Sequence, residues 1–459
     1  MNRIYYMSVM QNTHRSEIFL SKEIKKLEKL NFTKKKSYLF MERAGYQVFK
    51  FISENFKQKR QSAIVLCGPG NNGGDGFVVA KYLKKKGYKI KVYTLVEKNS
   101  YTGDALRALK NFKGVVKNFD YFKIKKNTLI IDALFGIGLK RSIKPKLTKI
   151  FKLVNKSKNA VISIDIPSGV SSDTGKILGN AIKADFTVTF HRKKIGHILS
   201  PGKEFSGKLK VVDIGLKKKI ITRYLENKPS LWKKSFPWKK YADHKYSRGR
   251  VIVYGSQKEF TGATILSSQA ALRTGVGSVK ILCTAETLQI YSIKFPSVLK
   301  KEINSINQLK KFLKKEKITS ILIGPGSGSN KKIKEITKLI LKKIKYVVLD
   351  ADALTCFKND LKSLYSLLDK NKIITPHLGE FKKIFPKIKK NLSNIEKVIA
   401  AKKLIRSNMI LKGPSSLIVS YDNKIIINNN SSPELAVIGS GDVLSGILVS
   451  LIGEKKMNP

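Results

Sequence analysis

Residues Cys67 to Gly76 read "CGPGNNGGDG", directly after the apolar run "AIVL" at Ala63–Leu66. A glycine turn behind a buried strand is where an α/β sheet receives a phosphate. Glycines let backbone N–H groups come close, and the N-terminus of the following helix favours negative charge. Gly68, Gly70 and Gly73 have the G-x-G-x-x-G spacing of a dinucleotide-binding turn. Glu97 stands about where such a turn places an acidic residue for the ribose. Asn71, Asn72 and Asp75 are then in excess. Pyrophosphate needs only the glycines, whereas carboxamide and carboxylate oxygens suit a hard cation or a polar substrate. On this stretch alone, a hydride-transferring oxidoreductase and a site of different chemistry both stay open.

Outward from the turn, "FVVAKYLKKKG" predicts an amphipathic helix from Phe77 through Val78 and Leu83 to Gly87. "KIKVYTLV", "TLIIDALFG" (Thr128–Gly136), "AVISIDIPSG" (Ala160–Gly169), "ADFTVTF" and "GKLKVVDIG" read as further strands. Strands alternating with helices predict a mainly parallel sheet covered on both faces, with ligands at the carboxyl ends of its strands. The pattern lapses into "KPSLWKKSFPWKKY" and then resumes with "RVIVYGS", a small-residue helix "ATILSSQAALRTGVG", and "SVKILCT", "SILIGPGSG", "YVVLDADAL", "KIITPHLGE" and "MILKGPSSLIV". "GSGDVLSGILVSLIG" opens the last helix. The reading is α/β with two different domains, 1–218 and 241–459, joined by a linker at 219–240.

The chain has 459 residues, enough for two or three cores, and its 42% hydrophobic content fits a globular protein. Its net charge of +59 is spread through clusters such as Lys34–Lys36, Lys84–Lys86 and Lys217–Lys219, with no single basic stripe and no nucleic-acid-binding motif. Neither a nucleic acid nor a membrane is expected as partner, although the charge should draw phosphorylated ligands. A basic nucleic-acid binder is the rival reading. Cys67, Cys283 and Cys356 make neither a disulfide framework nor a zinc pattern, and the N-terminus lacks a signal peptide's apolar core. A reducing cytoplasm is the expected setting.

Other strand ends carry the same oxygen-rich equipment: Asp132 in "IDALFGIGLKR", and Asp165 with Ser168 in "IDIPSG". With "MERAG" at Met41–Gly45, these motifs resemble the N-terminal, Rossmann-like domain of the NAD(P)H-hydrate repair family, an NAD(P)HX epimerase. The resemblance implies an α/β/α sandwich that binds a hydrated nicotinamide dinucleotide, NADHX or NADPHX, and transfers no hydride. It implies substrate contacts from Asn71, Asn72, Gly73, Gly74 and Asp75, from Gly136, Ile137, Gly138, Leu139, Lys140, Arg141 and Ser142, and from Asp165. A potassium ion would lie on Asn72, Asp132 and Ser168. Asp165 is the candidate acid/base catalyst at the strand end.

In the second half, "GSGD" at Gly439–Asp442 offers backbone N–H groups at a helix mouth and a carboxylate beside them, the parts a phosphoryl transfer uses. "HKYSRGRVIVYGS", "GPGSG" (Gly324–Gly328), "DADAL", "TPHLGE" (Thr375–Glu380) and "LKGPSS" (Leu411–Ser416) accompany it. The set resembles the ribokinase-like superfamily and, within it, the NAD(P)HX dehydratase. By that resemblance Ala263, Gly326, His377 and Asp442 contact the hydrate, with Asp442 catalytic. Lys412, Gly413, Pro414, Ser415, Ser416 and Gly441 contact ADP or ATP, which magnesium accompanies. The implied whole is a homo-oligomeric enzyme that epimerises the R and S hydrates and dehydrates the S form at the expense of ADP or ATP, releasing phosphate. The alternative is a small-molecule kinase fused to a Rossmann-type nucleotide-binding domain. Leu378 stands where relatives have proline, and relatives continue beyond "GEKKMNP". A shortened C-terminus is expected to leave the last helix less covered.

Overall fold

The computed structural model describes residues 16–32, 36–56, 62–217 and 219–454. They form two compact units: Glu17–Tyr224, and Ser16 with 225–454.

In the first unit, helices α1 (Ser21–Asn31) and α2 (Ser37–Asn55) precede strand β1 (Ser62–Cys67). Helix α3 (Asn71–Lys85), β2 (Lys89–Thr94), α4 (Gly103–Asn111) and β3 (Val116–Asn118) follow. Then come β4 (Thr128–Ala133), α5 (Pro145–Lys156), β5 (Val161–Ile164), β6 (Phe186–Phe190) and β7 (Lys208–Val212). The seven strands lie in the order β3-β2-β1-β4-β5-β6-β7. All six pairings are parallel. The order reverses between β1 and β4, so the crevice at their carboxyl ends is the topological switch point where a Rossmann sheet takes its ligand. Side chains alternate across β1: Val65 and Cys67 join the core on one face, Ile64 and Leu66 the core on the other. Burial on both faces is why this strand is a continuous apolar run instead of an alternating one.

In the second unit, strands β8 (Tyr224–Glu226) and β9 (Arg250–Tyr254), helix α6 (Thr261–Thr274), β10 (Ser278–Cys283) and β11 (Leu299–Glu302) come first. They are followed by β12 (Ser320–Ile323), β13 (Tyr346–Leu349), β14 (Lys372–Ile374), α7 (Leu378–Ile384) and β15 (Asn408–Leu411). The chain continues through β16 (Leu417–Val419), β17 (Ile425–Ile427) and α8 (Ser440–Gly453). The ten-stranded order is β8-β17-β16-β15-β14-β13-β12-β9-β10-β11. Its centre is parallel, and the hairpins β15–β16 and β16–β17 are antiparallel. The first hairpin is built from "MILKGPSSLIV", whose polar middle is the turn. Of the stretch 219–240, Tyr224–Glu226 is strand and Pro229–Trp232 a helical turn. Helix α8 crosses α6 closely: a Cβ on Gly446 would lie 2.2 Å from the Ser267 carbonyl oxygen. Among the described residues, no helix is long and apolar enough to cross a membrane, and the three cysteines are free thiols.

Candidate functional site

The glycine turn differs from its sequence reading in one respect. Helix α3 begins at Asn71, not at Phe77, so Asn71, Asn72, Gly73, Gly74 and Asp75 form its opening turn. Glycine is a poor helix former, which hid that turn from the pattern. Packing requires the glycines: a Cβ on Gly73 would lie 1.8 Å from the Gly68 oxygen, and one on Gly68 1.8 Å from the Leu134 oxygen. Gly70, the residue before the helix, has nothing within 4 Å of its Cβ position, so the approach to the helix mouth is open there.

Asp132, the last residue but one of β4, is fully buried. Ser168 Oγ donates to its Oδ1 at 2.6 Å, and Ser163 Oγ and the Ser168 N–H each donate to its Oδ2 at 2.8 Å. Burial raises its pKa against these bonds, and every donor is neutral. Asn72 packs beside Gly136, and its buried Nδ2 has no hydrogen-bond partner. A buried carboxylate compensated only by neutral donors, with the Ser168 hydroxyl bonded to it, is an oxygen set that fits an alkali cation, whereas the orphaned Asn72 Nδ2 is a donor and calls for an acceptor.

Asp165 follows β5 in the left-handed region, at φ 66°. Non-glycine residues held there cluster at functional sites. Its Oδ1 accepts from buried Lys194 Nζ and from Thr189 Oγ1 at 3.0 Å. Burial alone would raise Asp165, but the Lys194 charge and hydrogen bond outweigh it and hold the carboxyl below its usual range. Lys194 is placed by a short parallel pairing of Ile18–Phe19 with Lys193–Lys194. His197 locks the same loop: its Nδ1 accepts from the Lys194 N–H at 3.0 Å, so Nε2 carries the proton and donates to the Asp165 carbonyl at 2.8 Å. Asp75 is the counterpart. Burial first, then the Asp165 and Glu28 carboxylates, push it well above the carboxylate range. Glu28, on α1, is pushed up to about 7 by burial and by Asp165.

In the second unit the partners converge on Asp350, which follows β13 and is buried. Lys412 Nζ donates to its Oδ1 at 2.7 Å and Ser445 Oγ to its Oδ2 at 2.6 Å. Lys412 also lies 3.4 Å from the Cβ position of Gly441 and 4.0 Å from Glu380 Oε2. Asp442, in the first turn of α8, is half-buried; burial and then Asp350 raise its pKa, with Lys412 opposing. His377 caps α7: its Nδ1 accepts from the Gly379 N–H at 2.9 Å, and Glu380 Oε2 accepts from the His377 N–H at 2.8 Å. That reciprocal cap fixes the ring, whose Nε2 stays on the exposed side, 3.4 Å from Glu380 Oε1. His377 and Lys412 are paired as a parallel bridge between neighbouring strand ends. Gly326, at φ 64°, packs on Ser256 and Phe260, just ahead of Ala263 in α6. Gly413 and Pro414 are exposed in the β15–β16 turn, where Ser416 Oγ donates to the Gly413 oxygen at 3.1 Å.

The fold thus gathers Lys412, Gly441 and Asp442 at one helix mouth and joins Asp132 to Ser168. Sequence reasoning missed Glu28, Thr189, Lys194 and His197 in the first unit and Asp350, Glu380 and Ser445 in the second. Lys194 was invisible among 91 lysines and arginines. Asp350 lay inside the quoted "DADAL", and its position after a buried strand was the available signal.

Comparison with known proteins gives two family matches. The model described as the YjeF-related protein N-terminus matches residues 37–196, and the NAD(P)H-hydrate dehydratase model matches residues 251–458. The bifunctional NAD(P)H-hydrate repair enzyme of Dictyoglomus turgidum is 32% identical over 94% of this chain and 88% of its own length. The enzyme of the same name from Moorella thermoacetica is 30% identical over 91% of this chain and 84% of its own. Among solved structures, a ribokinase-like superfamily protein of Enterococcus faecalis aligns with a TM-score of 0.46 and 19% identity, covering 52% of this chain and 83% of that one.

Proposed function

The chain belongs to the family of bifunctional NAD(P)H-hydrate repair enzymes, and from that premise we propose how its residues divide the repair of hydrated NADH and NADPH between an epimerase and a dehydratase. The epimerase is assigned to 1–218 and the dehydratase to 241–459.

The hydrate carries a hydroxyl on C6, beside the ring nitrogen. Converting R to S requires breaking the C6–O bond with help from the nitrogen lone pair, then returning water to the other face. The departing oxygen needs a proton and the returning water needs a base. Two carboxyl groups whose environments drive them apart supply both roles. Asp75, held protonated, gives the proton; Asp165, held ionised by Lys194, takes one from water. The Lys194, Thr189 and Phe190 bonds all fall on Asp165 Oδ1, which leaves Oδ2 for that work. Potassium on Asn72, Asp132 and Ser168 would supply positive charge beside the substrate phosphates.

Dehydration of the S form faces a poor leaving group. Asp442 takes the proton of the C6 hydroxyl as its oxygen attacks the terminal phosphorus of ADP or ATP. The nitrogen lone pair then expels phosphate from C6, and loss of a C5 proton restores the reduced ring. ADP leaves as AMP, or ATP as ADP. The α8 N–H groups at Gly441 and the Lys412 charge stabilise the transferring group. Among the described residues no cluster of three or more His, Cys, Asp or Glu forms a metal site. Magnesium would therefore take its oxygens chiefly from the nucleotide phosphates.

The observation that carries this reading is Asp442: a raised, half-buried carboxylate at a helix mouth beside Lys412. The test gives the protein mixed R- and S-NADHX with ADP or with ATP and follows reduced-nicotinamide absorbance and orthophosphate together. Complete recovery with one phosphate per coenzyme is expected. A stable phosphorylated product would favour the small-molecule kinase instead.

A further inference from the structure

The acid–base pair and the glycine turn leave the adenosine half of the substrate without a seat in the first unit. The strand order reverses between β1 and β4, and Asp165 lies beyond β5, on one side of that switch point. On the other side, at the carboxyl ends of β1, β2 and β3, the unit holds a cleft of about 480 Å³. Its walls include the apolar side chains of Phe119, Leu139 and Leu147. Glu97 lines it from the β2 side, while Arg141 and Lys144 line it from the β4–α5 side. The volume suits a small-molecule subsite. Of the charged groups lining it, Lys146 is paired with Asp120 at 2.7 Å; Arg141 and Lys144 stand on the β4–α5 side and the Glu97 carboxylate just beyond the end of β2.

We propose that this cleft seats the adenosine half of the hydrate and that the Glu97 carboxylate accepts the ribose 2′-hydroxyl, so that the epimerase favours NADHX over NADPHX. The proposal rests on the epimerase reading above. A 2′-phosphate placed against Glu97 meets like charge, whereas a 2′-hydroxyl donates to it. Glu97 is exposed, so replacing its side chain leaves the core untouched.

The experiment offers R-NADHX and R-NADPHX separately to the full-length protein and follows R-to-S conversion by chromatography. Each rate is divided by the S-hydrate repair rate of the same preparation. The wild type should favour NADHX by about tenfold in kcat/KM, the size of one lost charged hydrogen bond. Glu97→Ala should erase most of that preference, and Glu97→Arg should invert it. A wild type without preference, or a ratio that Glu97→Ala leaves unchanged, overturns the role of Glu97. Leu147→Trp, which fills the cleft, should raise KM for both R hydrates while kcat holds; an unchanged KM overturns the cleft itself. If the wild type interconverts neither hydrate, the epimerase reading falls, and the cleft with it.

Discussion

Asp165 follows a parallel strand of the first unit and Asp442 opens the last helix of the second, and their surroundings drive them in opposite directions. Asp165 is buried and tied to a buried lysine, and its carboxyl is lowered. Asp442 is half-buried and raised, by burial first and then by the Asp350 carboxylate, while Lys412, bonded to Asp350, opposes the rise. The lesson concerns where a lysine is placed. A lysine bonded to a carboxylate keeps it ionised, as the role proposed for Asp165 requires. A lysine diverted to a neighbour leaves the carboxylate more basic, as the role proposed for Asp442 requires, while still offering positive charge nearby. Asp350 and Ser445 hold Lys412 in that diverted position.

Removing the raised carboxylate should produce the largest effect. Asp442→Asn keeps the shape of the helix mouth and deletes the base, so S-hydrate repair should fall by about 10²–10⁴-fold. R-to-S conversion should continue. Stopped phosphate release with continuing epimerisation would separate the two sites; equal loss of both would break the comparison. Removing the tying lysine comes next. Lys194→Met strands Asp165 as an uncompensated buried charge, a change that costs about 3–5 kcal/mol in comparable buried pairs. Asp165 should then take up a proton near neutral pH, and epimerisation should fall by about 10²-fold and recover as pH rises. If the rate loss is independent of pH, Lys194 is structural and not a control on Asp165.

How much of this was legible before the structure follows from the range of each interaction. Strands such as Ala63–Leu66 announce themselves because burial on both faces demands consecutive apolar residues, so the parallel architecture could be read directly. Asp132, Asp165, Ser168 and Asp442 could be singled out because they sit at or shortly after the ends of such strands or open a glycine-marked helix. The residues that set their proton states could not. Lys194 and His197 reach Asp165 from about 30 residues downstream, after the intervening strand β6. Glu28 comes from α1, in "SKEIKKLEKLN", where it looks like one more charge on a solvated helix face. Pairings between distant segments leave no local period, and in a chain with 91 lysines and arginines no single lysine stands out. The start of α3 was misplaced for the converse reason: its opening glycines answer to close contacts with Gly68, Met41 and Ala133, and these override helix propensity.

The smallest effect concerns the histidine that clasps the Asp165–Lys194 loop. Burial, then the Lys194 charge, lower His197 to about 3; protonating Nδ1 would also set two donors against each other at the Lys194 N–H. An unfolded histidine titrates near 6.5. Between those values the unfolded chain binds a proton that the folded unit refuses. The stability from this group is therefore complete above about pH 6.5 and is lost as pH falls toward 3, by about 1.4 kcal/mol per unit. Glu28 works against it. With a folded pKa of about 7 against a usual 4.5, it adds stability as pH falls through that window. Asp75 and Asp132, which burial also raises, act in the same sense as Glu28, and the lowered Asp165 acts with the histidine, so the histidine's share is read from the difference between wild type and variant. His197→Gln should start less stable and lose the histidine slope, so the gap between the proteins should narrow on acidification. Both tryptophans, Trp232 and Trp238, lie outside Glu17–Tyr224, so hydrogen exchange of peptides from that unit is the suitable measure. A gap that stays constant from pH 6.5 to 4 would mean that His197 takes up its proton as readily in the folded unit as in the unfolded chain, and both ring nitrogens would then have to be drawn as donors.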